Sequence, residues 1–299
     1  MEKEANNKEW GLIRNENGLL KSLIDEVRKD KDLVIQIRED YLNVYYKGGN
    51  LVKVNSENSF EFDSEYYKGK PEFDTEEKRK KERRKLLDTL KKNRDYKTFL
   101  STMKELMDSF WKKSVRDLHE KDTQHALCIC NTVSSDYTVI DLEFQVSKIC
   151  PYSYKKTQIP FGRFVDKHKT APRFDIIAVR NRDHRLCVIE LKSGTDALYR
   201  KSGIGDHADS FEGSIGRNPQ AFVKEMEGLV EDKKKLHLLE EDFYMKDDDP
   251  EFLYAYAFTT DDESEKEKER QAFENEQSKA NANNYKVIYL KKRDYTLYD

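Results

Sequence analysis

A mixed α/β protein with a small α+β unit at its N-terminus is the fold class this sequence predicts, on three observations. Aromatic residues reach 11% beside a charged share of 38%, so the 299-residue chain has the apolar content for a core under a heavily charged surface. Disordered chains lack that aromatic content. From residue 137 onward, short runs rich in Val, Ile, Phe and Tyr alternate with helical patterns, the order of an α/β domain. Ahead of them lies a helix-and-hairpin pattern, closed off by a run of Lys and Arg.

The elements follow in chain order. Leu19, Leu20, Leu23, Ile24 and Val27 recur at helical spacing. Strands are expected over 32–38 and 41–46. Lys47-Gly48-Gly49-Asn50 is a hairpin turn, since Gly supplies the positive φ such turns need, and 51–54 pairs back. Phe60 begins a further short strand. Tyr45, Tyr46 and Lys47 read first as cover for this sheet, with nucleic-acid contact as the alternative. Residues 78–97 carry eleven basic and three acidic residues with no Gly or Pro, a helix that is either a solvated face or an electrostatic footprint for phosphate. Arg83, Arg84, Lys91 and Lys92 are its candidate nucleic-acid contacts. A second helix holds Phe99, Met103, Leu106, Met107 and Phe110.

The chain therefore divides into a small α+β domain (1–73), a basic helical connector (74–114) and a larger domain (115–299). In the last, a helix runs through Val115, Leu118 and Ala126, and strands are expected over 137–146, 174–179 and 186–192. Residues 203–218 read as an irregular Gly-containing stretch. Pro219 opens a helix through Phe222, Val223 and Met226, Pro being tolerated in a first turn. A strand over 252–258, an exposed charged helix over 263–279 and a last strand over 287–290 complete the order.

The chemistry concentrates between Arg173 and Lys192. A hairpin turning at residues 181–184 pairs residues whose numbers sum to 365, which sets Asp175 opposite Glu190 and Ile177 opposite Val188. Opposed residues share a face, as do alternate residues of a strand. Asp175, Glu190 and Lys192 then cluster on one face, and Ile176, Ala178, Cys187, Ile189 and Leu191 make an apolar face behind. Two carboxylates held about 5 Å apart repel. A divalent cation such as Mg²⁺, commonly bound by one or two carboxylates plus substrate phosphate, removes that penalty. The Leu191 carbonyl is a further candidate ligand. Lys192 can position a water or neutralise phosphate charge, completing what metal-assisted phosphodiester hydrolysis needs.

Asp175 followed after fourteen residues by Glu190-Leu191-Lys192 resembles the motif of the PD-(D/E)xK nuclease superfamily. The resemblance covers about half the chain; Pro172 stands three residues before Asp175 rather than next to it. It implies a restriction-endonuclease-like core: a helix, a three-stranded antiparallel meander, a crossover helix and a further strand. It also implies Asp175 and Glu190 as ligands of Mg²⁺ or Mn²⁺, and Lys192 as the water-orienting base or charge stabiliser. Many members carry a Glu on the helix before the meander, a place Glu120 fits, with Gln124 one turn on; Gln220 opens the following helix. Glu143 is either a further ligand or the polar side of an edge strand. Lys201 and His207, after the third strand, are candidate phosphate contacts.

The expected function is thus a metal-dependent nuclease with DNA as default substrate, the N-terminal domain docking substrate, a partner protein or a second copy. The alternatives are a catalytically inactive nuclease-fold binding module and a protein-interaction scaffold. The net charge of −3 gives no global nucleic-acid signal, so any basic surface is local. No apolar run approaches the ~20 residues of a membrane span. Four cysteines make no disulfide framework, and a reducing, cytoplasmic setting is the default. Cys187 reads as core.

Overall fold

The computed structural model describes residues 20–38, 41–56, 59–113, 119–146, 172–199, 203–291 and 294–299. The chain forms two units: residues 1–121 with 231–241, and residues 122–230 with 242–299.

The first unit opens with α1 (Lys21–Lys29), whose Leu23, Ile24 and Val27 are buried. A four-stranded antiparallel sheet follows: β1 (Leu33–Ile37), β2 (Leu42–Tyr46), β3 (Gly49–Ser56) and β4 (Ser59–Glu61), in spatial order 1-2-3-4. Tyr46 pairs with Gly49, so Lys47 and Gly48 form a two-residue turn with φ of 45° and 71°. Gly48 is required twice over: its φ is left-handed, and a Cβ there would lie 2.2 Å from the Lys121 carbonyl oxygen. Tyr45 and Tyr46 are buried, and Lys47 pairs with Asp108 at 2.7 Å, so this corner covers the sheet.

Helices α2 (Glu76–Asn93) and α3 (Tyr96–Lys113) belong to this same unit. The expected boundary at residue 73 is bridged by aromatic packing: Phe60 meets Tyr96 and Phe99, and Phe62 meets Phe99. Thr75 caps α2 through its hydroxyl, which accepts from the Lys78 amide, and Glu76 and Glu77 occupy the first turn. Residues 231–241 also join this unit; buried Lys233 donates to the Ile35 carbonyl and the Gln36 side chain.

The second unit is built on a five-stranded sheet in order β5 (Tyr137–Gln145), β6 (Arg173–Arg180), β7 (Arg185–Ser193), β8 (Glu251–Ala257), β9 (Lys286–Leu290). The first three strands are an antiparallel meander; β8 runs parallel to β7, and β9 parallel to β8. Helix α4 (His119–Cys130) precedes the meander, and α5 (Asp196–Tyr199), α6 (Ile204–Gly213) and α7 (Pro219–Lys235) make the crossover from β7 to β8. Phe222, Val223 and Met226 of α7 are buried, with Phe222 edge-on to Phe144 at 5.7 Å.

Two readings of this region are corrected. Residues 203–218, expected to be irregular, contain α6, because Ile204, Ala208 and Phe211 recur at helical spacing and are buried. The charged helix α8 (Glu263–Lys279), expected to be exposed, buries one stripe: Glu269, Phe273 and Gln277, four apart. Glu269 is satisfied there by the Tyr256 hydroxyl and the Thr259 amide.

Candidate active site

The β6–β7 ladder runs Ile176–Ile189, Ile177–Val188, Ala178–Cys187, Val179–Leu186 and Arg180–Arg185. Each pair sums to 365, the register the sequence predicts. Asp183 locks the turn by accepting from Arg180 at 3.0 and 2.8 Å. Ladder pairing stops at Ile176, one residue short of Asp175. There the Asp175 carboxylate takes the place of the next rung: its Oδ2 accepts from the Leu191 amide at 2.9 Å. Asp175 is thereby fixed beside the Glu190–Leu191 peptide. Buried Gln124 of α4 supports the same position by donating to the Asp175 carbonyl at 2.8 Å.

Glu190 and Lys192, alternate residues of β7, share a face with Val188, and across the parallel ladder with Phe252, Tyr254 and Tyr256. Glu190 is 2% exposed and Lys192 4%. Lys192 Nζ lies 2.8 Å from Glu190 Oε1, and His207 Nε2 lies 2.9 Å from that same oxygen. Glu190 Oε2 is buried and has no hydrogen-bond partner among the described residues. Burial pushes the Glu190 carboxyl up, but the charges of Lys192 and His207 outweigh it and hold the group below its ordinary value. Burial, and next the Glu190 charge, pushes the Tyr254 phenol up.

A buried ionised carboxylate is tolerated only when paired and hydrogen-bonded. Here one oxygen has two donors and the other has none. The arrangement presents a buried carboxylate oxygen on the strand whose Leu191 amide holds the Asp175 carboxylate, with the Lys192 ammonium on the other oxygen.

Around this centre the other candidates fall as follows. Glu143 is bracketed by the pairs Leu142–Ile176 and Phe144–Phe174, so its backbone lies across from Asp175, and it has a left-handed φ of 49°. Such a φ is uncommon for a residue other than Gly and costs about 1–2 kcal/mol. Asp141, which sequence reasoning passed over, is fully buried, and the rung Asp141–Ile177–Val188 sets it on the Glu190 face. A carboxylate in the middle of an apolar strand was the available signal. Gln220 is turned to Asp249, at 3.5 Å. The Glu120 side chain and Lys201 lie outside the described residues. Among the described residues, which do not include the Glu120 side chain, no group of three or more His, Cys, Asp or Glu is gathered to hold a metal ion. Leu191 enters through its amide N–H, bound to Asp175.

On α2 the basic residues divide into two sets. Lys78 pairs with Asp74 at 2.7 Å, Lys80 with Glu76 and Lys85 with Glu82 at 3.3 Å. Arg79 is buried against Glu65, and Arg83 donates to the Phe62 carbonyl at 3.1 Å. Lys81, Arg84, Lys91 and Lys92 are exposed and lie along one side of the helix, with Asp88 between them and Glu77 one turn before Lys81. Among the described residues no helix is long and apolar enough to cross a membrane.

No protein-family model, no curated protein and no solved structure matches this chain.

Proposed function

We propose that the second unit is the core of a metal-dependent nuclease of the PD-(D/E)xK kind, hydrolysing phosphodiester bonds with Mg²⁺ or Mn²⁺ and with DNA as the default substrate. The observation that carries this reading is the buried Glu190 carboxylate, with Oε2 unshared, beside an Asp175 carboxylate pinned to the next peptide. These residues fit a hard divalent cation, which takes oxygen ligands and is commonly held by one or two carboxylates, water and substrate phosphate. Such an ion supplies Lewis-acid polarisation of the phosphoryl oxygen and a more acidic water. The chain's own residues do the rest. Asp175 and Glu190 hold the ion, and Lys192 is a fixed positive charge in a desolvated place, suited to orienting water or stabilising charge on the phosphate. The order of helix, antiparallel meander, crossover helix and parallel strand supports a restriction-endonuclease-like core. Lys81, Arg84, Lys91 and Lys92 of α2, unpaired among the described residues, supply a phosphate-docking strip.

A second reading has one observation in its favour. Lys192 and His207 already compensate Glu190 without a metal ion. That suits a nuclease-fold module that binds nucleic acid but does not cut it.

The experiment is cleavage of duplex, single-stranded and branched DNA with Mg²⁺ and with Mn²⁺, comparing wild type with Asp175→Asn, Glu190→Gln and Lys192→Ala. Each variant should lose roughly 10²-fold or more, the cost of removing a group that stabilises transition-state charge. Wild-type cleavage by folded Glu190→Gln refutes the active-site assignment. A wild-type protein that binds DNA and cuts none selects the second reading.

A further inference from the structure

We infer that His207 is a positioning residue of the Glu190 centre, holding that carboxylate by one oxygen so that the other is presented to a divalent cation. This rests on the metal-dependent reading above and deepens it. The motif provides only Asp175, Glu190 and Lys192; His207 arrives from helix α6, in a stretch expected to be irregular.

Helix α6 is seated by apolar packing. Phe211 stacks on Phe252 with ring centroids 4.9 Å apart, and the Tyr254 hydroxyl donates to the Ile204 carbonyl at 2.7 Å. Both contacts are to β8, the strand beside Glu190. They fix the helix along and about its axis. His207, one turn after Ile204 and one before Phe211, then has its Nε2 at 2.9 Å from Glu190 Oε1. Lys192 Nζ comes to the same oxygen from β7 itself. A carboxylate otherwise rotates and shares its oxygens among donors. Two donors from different elements on Oε1 fix its plane, and no described residue takes Oε2. Outer groups that fix a ligand's orientation act this way in metal sites generally, and losing one typically weakens metal affinity about 10- to 100-fold.

The test is Mn²⁺ binding to the full chain by titration calorimetry, with the paramagnetic resonance signal of bound Mn²⁺ as an independent readout. The proteins are wild type, His207→Ala, His207→Leu and His207→Gln, each checked for folding by circular dichroism. Leu fills the volume without a donor and serves if Ala does not fold; Gln restores an N–H donor. Ala or Leu should weaken Mn²⁺ binding about 10- to 100-fold, and Gln should recover most of that. In cleavage assays the metal concentration for half-maximal rate should rise in Ala and Leu, while the rate at saturating metal stays within a few-fold. Unchanged Mn²⁺ affinity in Ala or Leu overturns the inference, as does a Gln variant as weak as Leu. If wild type binds Mn²⁺ and shows this variant pattern but cleaves nothing, the inference stands and the nuclease reading falls. If wild type cleaves and the variants bind Mn²⁺ normally, only the inference falls. If wild type binds no Mn²⁺, both fall.

Discussion

The clearest test of substrate docking is to remove the four unpaired cations of α2 together: Lys81→Gln, Arg84→Gln, Lys91→Gln and Lys92→Gln. They are exposed and have no carboxylate partner among the described residues, whereas Lys78, Lys80 and Lys85 each have one. From Lys81 to Lys92 the strip spans roughly 16 Å at the helical rise, long enough to follow several phosphates of one groove edge. If each cation neutralises one phosphate, each adds ~0.9 to the salt slope of binding to duplex DNA. The quadruple variant should therefore have a slope smaller by about 3.6. Between 50 and 200 mM salt, those contacts correspond to a roughly 150-fold fall in the wild-type association constant, which the variant should not show. The loss should be alike for all sequences, because phosphate contacts carry little base information. The assay is fluorescence anisotropy with labelled duplexes at several salt concentrations in EDTA, so that no cleavage intervenes. The control is Lys78→Gln, Lys80→Gln, Lys85→Gln, which removes cations already engaged by carboxylates and should change the slope by clearly less. Equal slopes for wild type and the quadruple variant refute the docking strip. So does a control that lowers the slope as much, since net charge alone would then account for the effect.

Three further outcomes are expected. In metal-free buffer Lys192→Met should cost about 3–5 kcal/mol in urea unfolding, because it strips the Glu190 carboxylate of a buried partner. Glu190→Gln combined with Lys192→Met should then cost less than the two singles added, and a single-variant loss below about 1 kcal/mol would refute the buried pairing. Alkylation of the native protein should label exposed Cys130 and spare Cys187, whose thiol burial pushes up to about 12; peptide mass spectrometry checks this, and equal labelling would contradict the placement of Cys187 in the sheet. Asp183, whose carboxyl is held down to about 2 first by its hydrogen bond to Arg180, is lowered in the folded state. Its stabilisation is present above the ordinary carboxylate range and is lost as pH falls from about 4 toward 2. Asp183→Asn should flatten that limb of the acid-unfolding profile, and an unchanged limb would show that the turn does not depend on this pair.

What the sequence determined was most of what depends on local period and turn chemistry. Short runs rich in Val, Ile, Phe and Tyr placed the strands of the second sheet to within a residue or two. One turn after Arg180 was enough to register β6 on β7, because a hairpin's loop length sets its pairing. That register brought Asp175, Glu190 and Lys192 into one short stretch of two strands, and Cys187 into the core. The tertiary structure decided what lies beyond pairwise register. The ladder stops before Asp175, so its carboxylate bonds to the Leu191 amide, a detail set by where two strands part. Packing of Phe211 on Phe252 made a helix of 204–213 and delivered His207 to Glu190, a contact between residues seventeen apart that no spacing rule encodes. Arg83 and Arg84 are adjacent and alike in sequence. Their roles diverge because one side of α2 faces Phe62 and the other faces water. Charge is a property of residues, but whether a charge is spent or available depends on the partner that folding brings to it. That is why the motif was legible in the sequence and the unshared oxygen of Glu190 was not.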